Sequence, residues 1–185
     1  GIERPLSLSQ TLKVQRGEDN GFTASVEEVP LTRHVIATGG AIDSSLFAAG
    51  TAAGLRDITT MALAEVFRWD VDFVLDLRQG DSFRLVYEQL EREGRIVADG
   101  EILAAEFINE GRRFRAVRYV NAEGKADFYT PEGTSLRKAF LKAPVQFSRI
   151  SSVFNPSRRH PVLNRIRAHR GVDYAAPTGT PVKAA

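Results

Sequence analysis

Cysteine is absent from the 185 residues, and methionine and tryptophan occur once each. The first absence excludes a disulfide framework, a cysteine-based zinc finger and a thiol nucleophile. A chain without thiols suits the oxidising bacterial periplasm, yet such chains are common in the cytosol, so cysteine usage leaves the compartment open. No run of about 18 apolar residues occurs, which excludes a membrane-spanning helix. Gly1 opens the chain without the charged-then-apolar layout of a secretory leader, so a soluble, mature or excised product is expected.

What is present suits a packed domain, or one domain with a substantial appendage: 43% of residues are hydrophobic and 26% charged. The net charge of +2 conceals an asymmetry. Residues 149–185 hold seven of the 25 basic residues and one of the 23 acidic ones, a local charge of +6, against −4 for residues 1–148. The composition also turns rich in Arg, Ser and Pro there, from Ser148-Arg149-Ile150-Ser151-Ser152 through Asn155-Pro156-Ser157-Arg158-Arg159-His160-Pro161. The step predicts two modules with a boundary near residue 148.

In 1–148, short apolar stretches at Thr11–Val14, Phe22–Val29 and His34–Thr38, separated by turn formers, predict strands. Asp43 or Ser44 is expected to cap a short helix through Leu46 and Phe47. Leu55, Ile58, Ala62, Val66 and Trp69 then recur at three- and four-residue intervals, one face of an amphipathic helix. Five further strands are expected at Val71–Leu77, Phe83–Leu90, Ile102–Ile108, Phe114–Val120 and Ala126–Tyr129, with turns at Gln79-Gly80-Asp81, Ala98-Asp99-Gly100, Asn109-Glu110-Gly111 and Asn121-Ala122-Glu123-Gly124. A short helix from about Ser135 to Leu141 would close the unit. The fold class is therefore α+β, a helical pair packed on an antiparallel meander sheet.

Two charge clusters invite a functional reading and favour a plainer one. Asp70, Asp72 and Asp76, at strand spacing, would share a face, but their spacing matches no calcium loop, so an acidic solvated or interface face is expected. Arg112, Arg113, Arg115 and Arg118 lie among aromatics that could serve as a nucleic-acid platform, but Glu106, Glu110 and Glu123 flank them and cross-strand ion pairing is expected. Arg158, Arg159, Arg165, Arg167 and Arg170 come without any nucleic-acid-binding motif, so no nucleic-acid partner is expected. His34, alone in a strand, is expected to be structural.

The chemistry concentrates in His169-Arg170-Gly171-Val172-Asp173-Tyr174-Ala175-Ala176-Pro177-Thr178-Gly179-Thr180-Pro181-Val182. An imidazole and a carboxylate four positions apart are ligand types that zinc accepts, and a catalytic zinc takes three protein ligands and leaves one position for water. Gly171, Val172, Tyr174 and Pro177 argue against a helix. In a straight strand the two side chains would stand about 13 Å apart, so convergence on one ion requires a bend or bulge, which Gly171 permits. Pro177–Pro181 predicts a turn that reverses the chain into a strand from Val182.

This segment resembles, without a break from His169 to Val182, the opening motif of the lysostaphin/LytM-type zinc metallopeptidases, cell-wall endopeptidases. Upstream, Phe47–Gly54, Phe67–Phe73, Gly80-Asp81 and Lys138–Ser152 resemble the accessory domain of Gram-negative multidomain members. The resemblance implies that His169 and Asp173 are two of three protein ligands to a catalytic Zn²⁺, and that 149–185 holds the opening strands of a mainly β peptidase domain. It implies a third ligand and the general base in histidine motifs that this sequence does not contain. No catalytic residue is therefore expected within the chain; the catalytic residues are expected beyond Ala185. His160 has no matching role, and a fragment of a longer hydrolase is expected, inactive alone. The implied substrate is the peptide cross-links of peptidoglycan, and the implied location the periplasm or cell envelope; the substrate-binding residues are undetermined. An interrupted sheet leaves edges, so residues 155–185 are expected to be less ordered or to pair with another molecule, including as an oligomer. A non-enzymatic reading stays open beside it: a cell-wall-associated binding or regulatory protein, degenerate or autoinhibitory.

Overall fold

The computed structural model describes residues 1–17, 21–138, 141–143, 145, 149–152 and 171–182. Twelve elements follow one another as β1 (Ile2–Pro5), β2 (Gln10–Arg16), β3 (Phe22–Glu28), β4 (Thr32–Ala41), α1 (Leu46–Ala52), α2 (Asp57–Phe67), β5 (Ser82–Arg92), β6 (Arg95–Asn109), β7 (Arg112–Val120), β8 (Ala126–Tyr129), β9 (Arg149–Ser152) and β10 (Asp173–Ala175). The class is α+β, mostly antiparallel sheet with two helices.

Strands β1–β3 form a thin antiparallel sheet, extended by β1, which the sequence reading missed because Ile2–Pro5 ends in proline and carries no alternation. Arg92 reaches this sheet from β5, donating to the Thr11 hydroxyl at 3.0 Å and the Leu8 carbonyl at 3.3 Å. The main sheet runs β4-β5-β6-β7-β8, antiparallel at every step. Glu93 and Glu110, at φ 53° and 49°, precede glycines also at positive φ, which makes both connections of β6 two-residue hairpins whose twist matches the strands.

The two helices lie in the β4–β5 connection, and the core has Phe67, Phe83 and Phe107 at its centre with Leu46, Leu63 and Val71 fully buried among them. Each such side chain is worth about 1.5–3 kcal/mol of transfer free energy. The helices meet closely at Gly50, where a Cβ would stand 2.3 Å from the Thr60 hydroxyl oxygen. The cap of α1 is Ser45, one residue beyond the expected Ser44; its hydroxyl accepts the Ala48 N–H at 3.1 Å.

Four expectations are corrected. The buried face of α2 is Thr59, Thr60, Leu63, Ala64, Val66 and Phe67, while Ile58 is 71% exposed and Ala62 is also exposed. Thr60 against Gly50 and Thr59 hydrogen-bonded to Asp99 set a rotation that apolar spacing alone does not disclose. Residues 73–76 are a turn rather than part of a strand: the Asp72 carboxylate accepts the N–H groups of Val74 and Leu75 at 2.9 and 3.2 Å, and the Asp76 carboxylate accepts that of Asp72 at 2.9 Å. Local side-chain bonds of this kind outcompete a ladder. Ala98-Asp99-Gly100 runs inside β6, whose pairing with β5 absorbs register shifts, and the chain reverses at Glu93-Gly94. Residues 135–138 are not helical; Ser135 bridges Tyr129 and the Leu136 N–H bonds the Phe128 carbonyl at 3.0 Å, prolonging the β8 edge. The rest of that expected helix lies partly outside the described residues.

Candidate functional site

The segment singled out for metal chemistry is described from Gly171 to Val182; His169 and His160 lie outside the described residues. So does Ala185, beyond which the catalytic residues are expected. The chain bends at Gly171, and Asp173 then opens β10 with its side chain exposed. β10 pairs antiparallel with β9 in an irregular register: Asp173 faces Ser152 while Tyr174 faces Ile150, so Ser151 is the extra residue of a bulge beside Asp173. The Ser151 hydroxyl donates to the Asp173 carbonyl at 3.2 Å. Bulges re-aim a side chain and bend the bulged strand. After β10 the chain turns at Pro177–Thr180: the Thr180 N–H bonds the Pro177 carbonyl at 3.1 Å, and Gly179 takes φ +89°, as a type II turn requires.

Burial, followed by the charges of Asp72 and Asp76, pushes the Tyr174 phenol above the ordinary value, so the ring lies in the field of the acidic turn. The expectation for residues 155–185 is reached only at 171–182, where β10 pairs within the chain; the remainder lies outside the described residues.

The fit to zinc is partial. Asp173 offers an exposed carboxylate oxygen of the type zinc takes, but among the described residues no three His, Cys, Asp or Glu side chains come together to hold a metal. Asp70, Asp72 and Asp76 assemble neither a site nor the solvated face expected of them: Asp70 pairs with Lys138, Asp76 stands 3.6 Å from Lys142, and Asp72, 4% exposed, caps its turn. The arginine run is engaged in ion pairs, of which Arg113 with Glu106 is among those expected from the flanking glutamates, while Glu110 pairs with Arg78 at 3.3 Å. Arg113 and Arg118 pair across strands with Glu106 and Glu101 at 3.6 and 3.2 Å, Arg115 reaches Glu132 at 3.5 Å, and Arg112 lies over the Phe114 ring. His34 bonds Glu91 across β4 and β5 at 2.8 Å.

Two features went unnoticed in the sequence. Asp81, 4% exposed, accepts the N–H groups of Arg78 and Glu110 and the Asn109 amide, each at 2.8 Å. Burial is the largest single influence and pushes its carboxyl up, but these hydrogen bonds and the Arg78 charge together outweigh it and hold the pKa below the ordinary value. The signal was Gly80-Asp81 followed by a hairpin, too local to foretell a partner 29 residues away. The second is a groove of about 800 Å³ on the open face of the main sheet, floored by Ala37, Val86, Ala104 and Val117 and crossed by Arg84 and Arg115. It holds no metal-ligand set.

Comparison with known proteins now gives the family. The model of the Csd3 second domain matches residues 19–156, and the chain belongs to that family. Over 184 residues it is 42% identical to a protein of Vibrio cholerae named peptidoglycan DD-endopeptidase ShyC, covering all of this chain and 42% of that one. ShyA of the same organism, also named a peptidoglycan DD-endopeptidase, is 32% identical over 98% of this chain and 41% of its own length. The chain thus spans about two fifths of these relatives. Among solved structures, a zinc-containing peptidase from Vibrio cholerae superposes with a TM-score of 0.54 at 29% identity, over 97% of this chain and 54% of that one. Helicobacter pylori Csd3 in its orthorhombic crystal gives 0.59 at 23% identity, over 98% and 49%, a likeness of fold. The family match ends at residue 156, before His169 and Asp173.

Proposed function

We propose that this chain is the accessory module, with the opening strands of the catalytic domain, of a zinc metalloendopeptidase that hydrolyses peptide cross-links of peptidoglycan in the bacterial cell envelope. The modules divide near residue 148, and His169 and Asp173 supply two zinc ligands, a neutral imidazole nitrogen and a carboxylate oxygen. The observation that carries this reading is the unbroken segment from His169 to Val182, in which Asp173 follows a glycine bend and sits beside a bulge. The names of the two Vibrio cholerae relatives and of the zinc-containing peptidase support it. Zinc, when bound, lowers the pKa of its water to about 7 and polarises the scissile carbonyl. The remaining ligand and the base belong to sequence beyond Ala185, so the chain alone is inactive.

The test is a zinc titration of a protein extended to the length of these relatives, with His169→Ala and Asp173→Ala as variants. One zinc per chain is expected, with affinity falling about 100-fold in each variant, together with release of peptides from purified peptidoglycan that a chelator abolishes and zinc restores. Undiminished zinc affinity in both variants would remove the reading.

A second reading rests on the family match itself, which ends before both candidate ligands. Under it the module acts without chemistry, as a wall-associated regulator that covers or activates a catalytic domain. Adding residues 1–148 to a separately prepared catalytic region then changes its rate on peptidoglycan without changing its zinc content.

A further inference from the structure

The register of the β1–β3 sheet sorts its residues onto two unlike faces. On one, Lys13 pairs with Glu27 at 2.6 Å and with Glu3 at 3.6 Å, and Thr11 accepts the bond from Arg92 that ties the sheet to the main module. On the other, Ile2 stands beside Val14, Val14 beside Ala24 and Leu12 beside Val26, with Phe22 at the end of the row. Phe22 is 76% exposed, Ile2 70% and Val26 54%. An antiparallel sheet of this kind keeps one face in water and buries the other. The face that carries the ion pairs is the wet one, so the apolar face is the one built to be covered. Among the described residues it is left open.

Size and position select the occupant. Three strands about 4.8 Å apart make a floor about 10 Å wide, and the seven residues of β2 run roughly 23 Å. One α-helix is about 10 Å across and covers that length in about 15 residues. The same floor, roughly 230 Å² in plan, falls well short of the about 800 Å² per partner that a stable complex of separate molecules buries, which disfavours a second copy. A segment tethered in the same polypeptide escapes that requirement, because its effective concentration is high. The match to the Csd3 second domain starts at residue 19, so β1 and β2 lie ahead of that domain, and more than half of the ShyC length falls outside the match to this chain. We propose that the apolar face of the β1–β3 sheet is covered by an amphipathic helix of about 15 residues, supplied by the part of the same polypeptide that precedes Gly1. The surface is independent of the zinc reading: it uses none of its residues.

Because the chain has no cysteine, one introduced thiol reports on one face at a time. Ala24→Cys and Val26→Cys place it on the apolar face, and Ser25→Cys places it between them on the polar face. Each variant is labelled with a maleimide, in the presence of a chelator, in three proteins: the 185-residue chain, the chain with its preceding sequence restored, and the chain with only its following sequence restored. Thermal melts matched to the parent protein show that each variant folds. Restoring the preceding sequence is expected to slow labelling at least tenfold at positions 24 and 26 and less than twofold at position 25. That sequence is also expected to carry apolar residues at i, i+3, i+4 and i+7 over about 15 residues. Unchanged labelling at both apolar positions, or a preceding sequence without that period, would overturn the proposal. Protection that comes only with the following sequence would assign the face to the catalytic region and overturn it as well. So would protection in the 185-residue chain that rises with its concentration, which would make a second copy the cover.

Discussion

The Asp81 carboxylate accepts the backbone N–H of Glu110 at 2.8 Å, fastening the entry of β5 to the β6–β7 hairpin. Asn109 extends the connection, donating from one amide nitrogen to Asp81 at 2.8 Å and to the Asp76 carbonyl at 2.7 Å. One buried side chain therefore ties the acidic turn and the entry of β5, neighbours in sequence, to a hairpin 29 residues further on.

Replacing Asp81 with alanine leaves three donors, the N–H groups of Arg78 and Glu110 and the Asn109 amide, without that acceptor. The expected loss is about 3 kcal/mol, seen as a lower urea midpoint at neutral pH. The pKa of Asp81 is depressed in the folded state, so its contribution is complete above the unfolded value of about 3.9 and is lost as pH falls through the folded value. The difference between wild type and Asp81→Ala is therefore expected to be full at pH 6 and to shrink as pH drops below about 4. A difference that stays constant down to strong acid would show that the carboxylate charge is not what holds the network.

Gly50 lies inside α1, where helix propensity favours alanine by about 1 kcal/mol. Packing reverses the sign. An added Cβ would stand 2.3 Å from the Thr60 hydroxyl and 3.1 Å from its methyl, and Thr60 is buried. Gly50→Ala is expected to cost about 1–3 kcal/mol by thermal or urea unfolding. Combining it with Thr60→Ala, which removes both contacting atoms, is expected to recover most of that loss, a coupling of more than about 0.5 kcal/mol between the positions.

Much of the sheet was legible because its residues obey a two-residue period set by burial on one face. Phe83, Leu85 and Tyr87 all face the core, and Phe107 stands opposite both Phe83 and Phe114. The arginine run was legible for a related reason, since its carboxylate partners lie in neighbouring strands. The turn at 73–76 was not, because Val71, Phe73, Val74 and Leu75 carry β propensity while two aspartates bind the local backbone. The rotation of α2 was hidden for the opposite reason: threonines form part of its buried face, one set against a glycine of the preceding helix and one bonded to an aspartate 40 residues away. The candidate ligand Asp173 was visible through its motif, whereas the Asp81 network was not, since its donors Arg78, Asn109 and Glu110 come from separate regions of the chain.

The bulge at Ser151 gives the zinc reading a structural consequence. With Ser151 as the extra residue, Asp173 faces Ser152 while Tyr174 faces Ile150. Deleting Ser151 closes the bulge and restores regular pairing, which shifts the strand by one residue and turns side chains on one side of the site to the other face. In the protein extended to the length of its relatives, the deletion is expected to lower zinc affinity more than tenfold, approaching the effect of Asp173→Ala. Ser151→Ala keeps the extra residue and removes only the 3.2 Å bond from its hydroxyl to the Asp173 carbonyl, so a change of less than about threefold is expected. Isothermal titration of the two variants separates the roles. If the deletion left zinc binding intact, the bulge would have no part in presenting Asp173.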